Sequence, residues 1–288
     1  VEGESLGIGH AEGASFTDSS LSTMDHYHGL RWIPGDDVRS VAFGEDGSRW
    51  IATDAGIAHI SYENRSLSEK ADRLATLHDR LWRIDFASCQ GYLEDPWQPD
   101  ASLSLGDDDN DGLWTEFQIG AWSYAAAATG DPQYCDLADR AVQAMFREID
   151  IPGVSFTEIG RTPGFIARSL VRDDEGTLFT DKATQSNWHL VENVEGHDWY
   201  WKDDTSSDET TGHYFGLPLY YDFCADETEK EAVAAHITLL TDAILDGGYQ
   251  LIDLDGEPTT WARWGPDRVT SALDGLENCV QTYSAEDC

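Results

Sequence analysis

The stretch that decides the fold is Leu113 to Thr129, LWTEFQIGAWSYAAAAT, which Gly130-Asp131-Pro132 follows. It is almost wholly apolar, which predicts a helix buried on several sides, with Trp114 and Phe117 inside. Gly and Pro then end this helix and start the next one. The next helix carries apolar residues on one face only, at Ala138, Ala141, Val142, Met145 and Ile149. A buried helix followed by an amphipathic one predicts an αα-hairpin.

The same pattern returns about 95 residues later. The apolar stretch Gly212 to Cys224 leads into Ala225-Asp226-Glu227 and a second amphipathic stripe. Repeated hairpins are typical of α/α solenoids and toroids, so we expect a mainly α fold, a closed or incomplete α/α-hairpin toroid. The long connections, Asp150 to Asp203 and Gly247 to Pro266, are expected to lie as loops at one end of the inner helices, where they form a cleft.

A small β element precedes the helices. Its three predicted strands, separated by tight turns, are Val38–Phe43, Arg49–Thr53 and Ile57–Ile60. Ser66 and Glu69 then form a predicted capping box for the first helix. The expected organisation is an irregular segment over residues 1–30, a propeller-like β repeat over 31–62 and a helical domain over 63–288.

The stretch with the most chemistry is Asp203 to His213, DDTSSDETTGH. Ser206 or Ser207 is expected to cap a helix, which puts Glu209 and His213 four residues apart on one face. Carboxylates and an imidazole in this arrangement suit proton transfer or metal ligation. The same residues are also typical of an ordinary helix N-terminus, where the helix dipole favours acids.

Further candidates lie in the long connections. Arg168 offers the planar guanidinium that binds a carboxylate or sulfate, although pairing with the protein's own acids explains it equally well. The predicted catalytic residues are Asp204, Asp208, Glu209, His213 and His189, and the predicted substrate-binding residues are Arg168, Trp188, Trp199, Trp201 and Trp261. Aromatic side chains suit glycan stacking, but core packing uses them as well.

Residues 107–112, DDDNDG, fit the opening of a calcium loop with Asp107, Asp109 and Asp111 as ligands. The twelfth position is Gln118, where an EF-hand needs Glu. The alternatives are an acidic loop that caps the following helix and a catalytic role for Asp109 or Asp111. Calcium is the predicted cofactor. The absence of a P-loop or dinucleotide motif in the sequence argues against a nucleotide or redox cofactor.

The formal charge is −37, from 18 basic and 55 acidic residues. This charge argues against nucleic acid as a partner. The acids are spread along the whole chain, which is typical of a solvated surface adapted to high salt. No apolar run in the sequence has the length of a membrane span, so no membrane insertion is expected. We expect an extracellular or periplasmic location, and the sequence leaves the oligomeric state open.

Five cysteines are present, at Cys89, Cys135, Cys224, Cys279 and Cys288. Their spacing matches no zinc motif, so structural thiols are the expectation. The odd count allows at most two disulfides within the chain.

Several blocks resemble consecutive blocks of a bacterial family in which regulator-type β-propeller repeats precede an α/α-helical domain. The blocks are Asp46-Gly47, Trp50–Thr53, Gly56-Ile57, Ser66–Ala71, Asp109–Trp114, Pro163–Ser169, Asp204–His213 and Gly248–Thr259. The resemblance implies one propeller blade before a helical toroid. That toroid is similar, at the level of fold alone, to α/α-toroid glycoside hydrolases and polysaccharide lyases.

These features predict a carbohydrate-active enzyme that cleaves the glycosidic bonds of a polysaccharide. Hydrolysis is slightly favoured. In that version Asp208 or Glu209 donates the proton, and Asp204 or an acid of the 107–112 loop acts as base or nucleophile. His213 then orients the acid.

In the version that proceeds by elimination, His189 or His213 removes the proton beside a uronate carboxylate that Arg168 neutralises. The alternative function is a non-catalytic glycan-binding or sensory module. Such a module needs the aromatic residues and Arg168 but tolerates the loss of Glu209 and His213.

Overall fold

The computed structural model describes residues 5–85, 87–95, 97–98, 102–106 and 109–265. The described residues fall into two compact units. The first lies within Val1–Leu77 and Leu93–Leu103, and the second lies within His78–Tyr92 and Ser104–Cys288.

Two three-stranded antiparallel sheets make up most of the first unit. Their strands, in spatial order, are β1 (Ser5–His10), β2 (Gly13–Asp18) and β3 (Met24–Tyr27), then β4 (Val38–Phe43), β5 (Arg49–Thr53) and β6 (Ile57–Ile60). The sequence prediction of β4 to β6 is confirmed. The prediction of an irregular segment over residues 1–30 is wrong for β1 to β3. Its Gly- and Ser-rich composition hid the burial of Ala14 and Phe16, which pack with Ile33 and Ile51.

Helix α1 (Leu67–His78) begins at the predicted capping box. The backbone N–H of Glu69 donates to Ser66 Oγ at 3.2 Å, and the backbone N–H of Ser66 donates to Glu69 Oε2 at 2.7 Å. None of its residues is buried.

Helices dominate the second unit: α2 (Asp111–Thr129), α3 (Gln133–Glu158), α4 (Thr177–Thr180), α5 (Ser207–Phe223) and α6 (Glu227–Asp246). The two predicted helix pairs are confirmed as α2 with α3 and α5 with α6. Gly130 ends α2 in the left-handed conformation, with φ 72°. The main core is packed from these helices and includes Ile119, Met145 and Leu217. No helix among the described residues has the length and apolar character needed to cross a membrane.

Short strands lie between these helices. They are β7 (Trp82–Arg83), β8 (Ala87–Ser88), β9 (Gly91–Leu93), β10 (Leu103–Leu105), β11 (Leu170–Arg172), β12 (Trp188–Val194), β13 (His197–Lys202), β14 (Gln250–Ile252) and β15 (Pro258–Arg263). Strand β13 is the centre of an antiparallel sheet with β11 and β12, and β14 pairs with β15. Two 3-10 turns, Asp173–Glu175 and Asp181–Thr184, flank α4.

The prediction of a mainly α toroid is therefore wrong. The fold is mixed, 42% helical and 26% strand, with several small antiparallel sheets and no closed barrel or propeller among the described residues. The difference arises in the connections that we expected to be loops. Trp188–Val194 and His197–Lys202 are rich in aromatic and β-branched residues, which favour strands, and they pair across a turn at Glu195-Gly196.

The structure decides a question about the cysteines that the sequence left open. Cys135, in the first turn of α3, forms a disulfide with Cys224, the residue that ends α5. Their separation of 89 residues gives no local signal of pairing. Cys89 is a buried thiol, and the remaining two cysteines lie outside the described residues.

Candidate functional site

The start of α5 and the residue before α2 are joined by hydrogen bonds. Ser206 caps α5 by accepting from the backbone N–H of Glu209 at 3.3 Å, as predicted. Its hydroxyl donates to Asn110 Oδ1 at 2.9 Å, and Asn110 Nδ2 donates to Asp208 Oδ2 at 2.7 Å. Asp208 is exposed. The predicted catalytic carboxylate of Asp208 is therefore held at the surface by the side-chain amide of Asn110.

Two cations share one acid, Asp109, which directly precedes Asn110 in the sequence. Lys202 Nζ donates to Asp109 Oδ1 at 2.6 Å, and Arg168 Nε lies 3.1 Å from the same oxygen. Arg168 Nη1 also donates to the carbonyl of Asp204 at 3.2 Å. The sequence left two hypotheses for Arg168. The structure contains the second, in which Arg168 pairs with an acid of the protein itself.

Asp204 has a left-handed backbone, with φ 50°. Its Oδ1 accepts from the backbone N–H of Thr260 at 2.6 Å, and its own N–H donates to Asp253 Oδ2 at 2.8 Å. Burial raises the pKa of Asp253 above its ordinary value, although its two backbone hydrogen bonds, from Asp204 and Leu254, oppose the shift. The Asp204 carboxylate thus connects the start of α5 to β15.

His189 and Asp203 form a dyad at the same end of the unit. His189 Nε2 lies 2.9 Å from Asp203 Oδ2, and the imidazole packs on Trp201 with ring centroids 4.5 Å apart. Because a carboxylate only accepts, Nε2 carries the ring proton and Nδ1 keeps a lone pair. The His189 side chain is 27% exposed. An oriented, partly accessible imidazole of this kind suits a general base.

Glu209 and His213 lie on one face of α5, as predicted, but that face is in the core. It packs against α2 and α3, where it meets Glu116 and Glu148. His213 Nδ1 lies 3.4 Å from Glu116 Oε1, and His213 Nε2 lies 3.4 Å from Glu148 Oε2. Each of the four residues is at most 1% exposed. We call Glu116, Glu148, Glu209 and His213 the buried cluster.

Burial shifts the pKa of every group in the buried cluster towards the neutral form. It raises the pKa of Glu209 to about 8, with the charge of Asp111 adding to the shift. The pKa values of Glu116 and Glu148 rise well above the ordinary value, chiefly by burial and then by the charge of Glu209. Burial lowers the pKa of His213 to about 3. Desolvation is the physical cause in each case.

Asp111 lies beside the buried cluster but has partners of its own. Ser169 Oγ donates to Asp111 Oδ2 at 2.6 Å, and Arg83 Nη1 lies 3.5 Å from the same oxygen. Arg83 also binds both carboxylate oxygens of Glu175, at 2.7 and 2.9 Å. The positive charge of Arg83 is therefore shared by Asp111 and Glu175.

The predicted calcium loop is described only in part, since Asp107 lies outside the described residues. Asp109 binds Lys202 and Arg168, whereas Asp111 binds Ser169 and Arg83, so these two predicted ligands have different partners. In the part of the chain that the structure describes, no three His, Cys, Asp or Glu side chains are already arranged to hold a metal ion. Calcium at this loop stays a prediction.

The predicted aromatic platform is mostly core. Trp199 and Trp201 are fully buried and Trp188 nearly so, whereas Trp261 is 59% exposed. Exposed rings occur instead on α2 and α5, at Trp114, Phe117 and Phe215. The ring centroids of Trp114 and Phe117 are 6.4 Å apart, and those of Phe117 and Phe215 are 5.2 Å apart. We call these three side chains the aromatic face.

The expectation that Trp114 and Phe117 are buried is therefore wrong, because α2 packs through the opposite side of the helix. From the sequence, Glu116 and Asp203 were assigned no catalytic role, and Glu148 was missed. The sequence did contain a signal for Glu116, because it is an acid inside an otherwise apolar helix.

Comparison of this chain with protein-family models, with curated proteins and with solved structures finds no match. The function of this chain is therefore inferred from the geometry of the site.

Proposed function

We propose that this protein is a carbohydrate-active enzyme that cleaves glycosidic bonds of a uronate-containing polysaccharide by β-elimination. The observation that carries the proposal is the dyad of His189 and Asp203, with a hydrogen bond of 2.9 Å and a partly exposed imidazole. Glu209 and His213 are buried, which leaves Asp208 as the candidate proton donor for hydrolysis and His189 as the candidate base for elimination.

In this reaction Asp203 holds the Nε2 proton of His189, and Nδ1 takes the proton beside the uronate carboxylate. The carbon–oxygen bond to the departing sugar then breaks, a carbon–carbon double bond forms, and the departing oxygen takes a proton from water. The acidity of the abstracted proton depends on neutralisation of the carboxylate. Arg168 and Lys202, which share Asp109, are the cations available for it.

The aromatic face supports binding of a sugar chain. Trp114 is half exposed and lies one helical turn after Asn110, the residue that holds Asp208. A ring surface beside carboxylates and cations is what a polar ligand with apolar sugar faces requires. The net charge of −37 repels an anionic polymer, so binding needs high salt to screen it.

Two other candidates follow from particular observations. Hydrolysis remains a candidate because the carboxylates of Asp208 and Asp204 both lie at the N-terminal end of α5. A non-catalytic glycan-binding module is favoured by the aromatic face alone. The disulfide of Cys135 and Cys224 supports the proposed extracellular or periplasmic location, since disulfides persist in oxidising compartments.

The test is a screen of the protein in high salt against neutral and uronate polysaccharides, with reducing ends and the ultraviolet absorbance of unsaturated uronates followed together. Both signals are expected from uronate substrates. New reducing ends without absorbance would replace elimination by hydrolysis, and binding without either signal would leave the glycan-binding module.

A matched pair of variants tests the base. His189→Gln is expected to lower the rate by roughly 10²–10⁴, the range for loss of general base catalysis. The control is His197→Gln, because His197 on neighbouring β13 is also bound to an aspartate, Asp173, at 2.7 Å. The control should keep the wild-type rate. Equal activity of the two variants would remove His189 from the mechanism.

A further inference from the structure

The buried cluster has polar atoms that no protein group satisfies. Within the described residues, both carboxylate oxygens of Glu116 and of Glu209 and both ring nitrogens of His213 make no hydrogen bond of acceptable geometry. The backbone N–H groups of Gly112 and Leu113 approach Glu209 and offset part of its pKa shift without meeting that geometry. An unsatisfied buried polar group destabilises the folded state, so the arrangement needs a further component.

That component has to neutralise the carboxylates. Three carboxylates that are at most 1% exposed are stable only if protons or a cation neutralise them. Arg83 is already bound to Glu175 and Asp111. A neutral imidazole with an available lone pair is the form of histidine that binds metal ions.

One pair of atoms in the buried cluster has the spacing of two ligands on a metal ion. Zinc binds nitrogen and oxygen ligands at about 2.0–2.1 Å, so two ligands at the tetrahedral angle are about 3.4 Å apart. His213 Nε2 and Glu148 Oε2 are 3.4 Å apart. Glu209 precedes His213 by one helical turn, and two ligands at this spacing on one helix face are a known zinc-binding arrangement.

We infer that Glu148, Glu209 and His213 bind one divalent transition-metal ion, Zn²⁺ in the first instance, between α3 and α5. Glu116 would then orient the metal-bound imidazole by accepting its other N–H. It faces Nδ1 on the other edge of the imidazole, and a metal-bound histidine almost always donates this second N–H to a carboxylate or carbonyl. The inference is independent of the proposed sugar chemistry and of the predicted calcium loop.

Two glycines make room for these carboxylates. A Cβ on Gly112 would overlap Oε1 of Glu209 and Oε2 of Glu148, and a Cβ on Gly216 would overlap Oε2 of Glu116. The ligand atoms do not yet converge on one point, so binding requires the Glu209 carboxylate to turn about its side-chain torsions. One imidazole and two carboxylates suit Zn²⁺, Fe²⁺ or Mn²⁺ better than Ca²⁺, which takes oxygen ligands.

The experiment is metal analysis of the full chain after chelator treatment and reloading with Zn²⁺ in excess Mg²⁺. The Mg²⁺ competes for the many surface acids. Wild-type protein is expected to retain one zinc ion per chain after gel filtration and to melt at a higher temperature with zinc than without it. Glu209→Gln and His213→Gln should lose the bound zinc, whereas Glu116→Gln should weaken zinc binding by about 10–100-fold.

The matched controls are Glu192→Gln and His59→Gln, because both residues are exposed. Both controls should retain zinc as the wild type does. Failure of wild-type protein to retain zinc would overturn the inference, as would equal retention by wild type and Glu209→Gln. Should the buried variants not fold, the Co²⁺ spectrum of wild-type protein decides. Absorption bands of four-coordinate Co²⁺ support the site, and an unchanged spectrum of free Co²⁺ rejects it.

Discussion

Gly112 on α2 faces Glu209 on α5 so closely that any side chain at position 112 would overlap the Glu209 carboxylate. Glycine in a helix interior costs about 1 kcal/mol relative to alanine, so at Gly112, the second residue of α2, propensity alone should make Gly112→Ala stabilising by at most that amount. The overlap reverses that sign. We expect Gly112→Ala to lower the free energy of unfolding by about 1–3 kcal/mol, the cost of overpacking a core, as measured by urea denaturation.

Gly153→Ala is the control for this prediction. Gly153 is also inside a helix, and the nearest atom to its added Cβ is Pro163 Cβ at 3.2 Å. The loss in free energy of unfolding should be smaller for Gly153→Ala than for Gly112→Ala. A more stable Gly112→Ala protein would mean that Glu209 does not occupy this space.

Local signals explain which parts of the fold were predictable. Strands β4 to β6 and the capping box of Ser66 and Glu69 depend on neighbouring residues, and the sequence predicted them correctly. The burial of Glu209 is not local, because it depends on which face of α5 meets α2. Asp208 and Glu209 are adjacent acids in the first turn, yet one is exposed and the other is in the core.

The strands that were mistaken for loops show the same limit. In β12 and β13 each strand is identified by its pairing, in which His189 lies opposite Trp201. Trp199 and Trp201 were equally compatible with a sugar platform and with core packing. Trp199 and Trp201 are two residues apart on β13, so both lie on the face of the sheet that packs into the main core, and that packing is not visible in the local sequence.

The disulfide between Cys135 and Cys224 should contribute strongly to stability. It closes a loop of about 90 residues, for which loss of chain entropy in the unfolded state predicts about 4–5 kcal/mol. We expect dithiothreitol to lower the melting temperature of wild-type protein and the double variant Cys135→Ser/Cys224→Ser to melt at that lower temperature with or without the reductant. Equal melting of oxidised and reduced wild-type protein would contradict the assignment.

Cys89 should be an inert thiol in the folded protein. Burial raises its pKa from 9.0 to about 12, and its Sγ donates to the carbonyl of Leu81 at 3.1 Å. Since the thiolate is the reactive form, about a thousandfold less of it is present at pH 8 than for an unshifted thiol. Alkylation of the native protein, followed by peptide mass spectrometry, should leave Cys89 unlabelled at pH 8. Labelling should rise only as the pH approaches 12, whereas urea-unfolded protein should label readily at pH 8.

The aromatic face should bind sugar. Trp114 is half exposed, so Trp114→Ala should lower the free energy of unfolding by less than the roughly 3–5 kcal/mol that loss of a fully buried Trp costs. If a sugar ring covers this indole, its loss costs about 1–2 kcal/mol of binding, by the apolar area that the sugar removes from water. That is about a tenfold increase in Kd, measured by titration calorimetry with the polysaccharide identified in the activity screen.

Trp50→Ala is the matched control for the aromatic face, because Trp50 is 45% exposed and stacks on His59 at 4.1 Å. It lies on β5, in the other compact unit, and should leave polysaccharide binding unchanged. Equal loss of binding in both variants would indicate non-specific adsorption to exposed indoles. Loss with Trp114→Ala alone, in protein that remains folded, would assign the sugar to the helical unit, on α2 and α5, which are two of the three helices that carry the buried cluster.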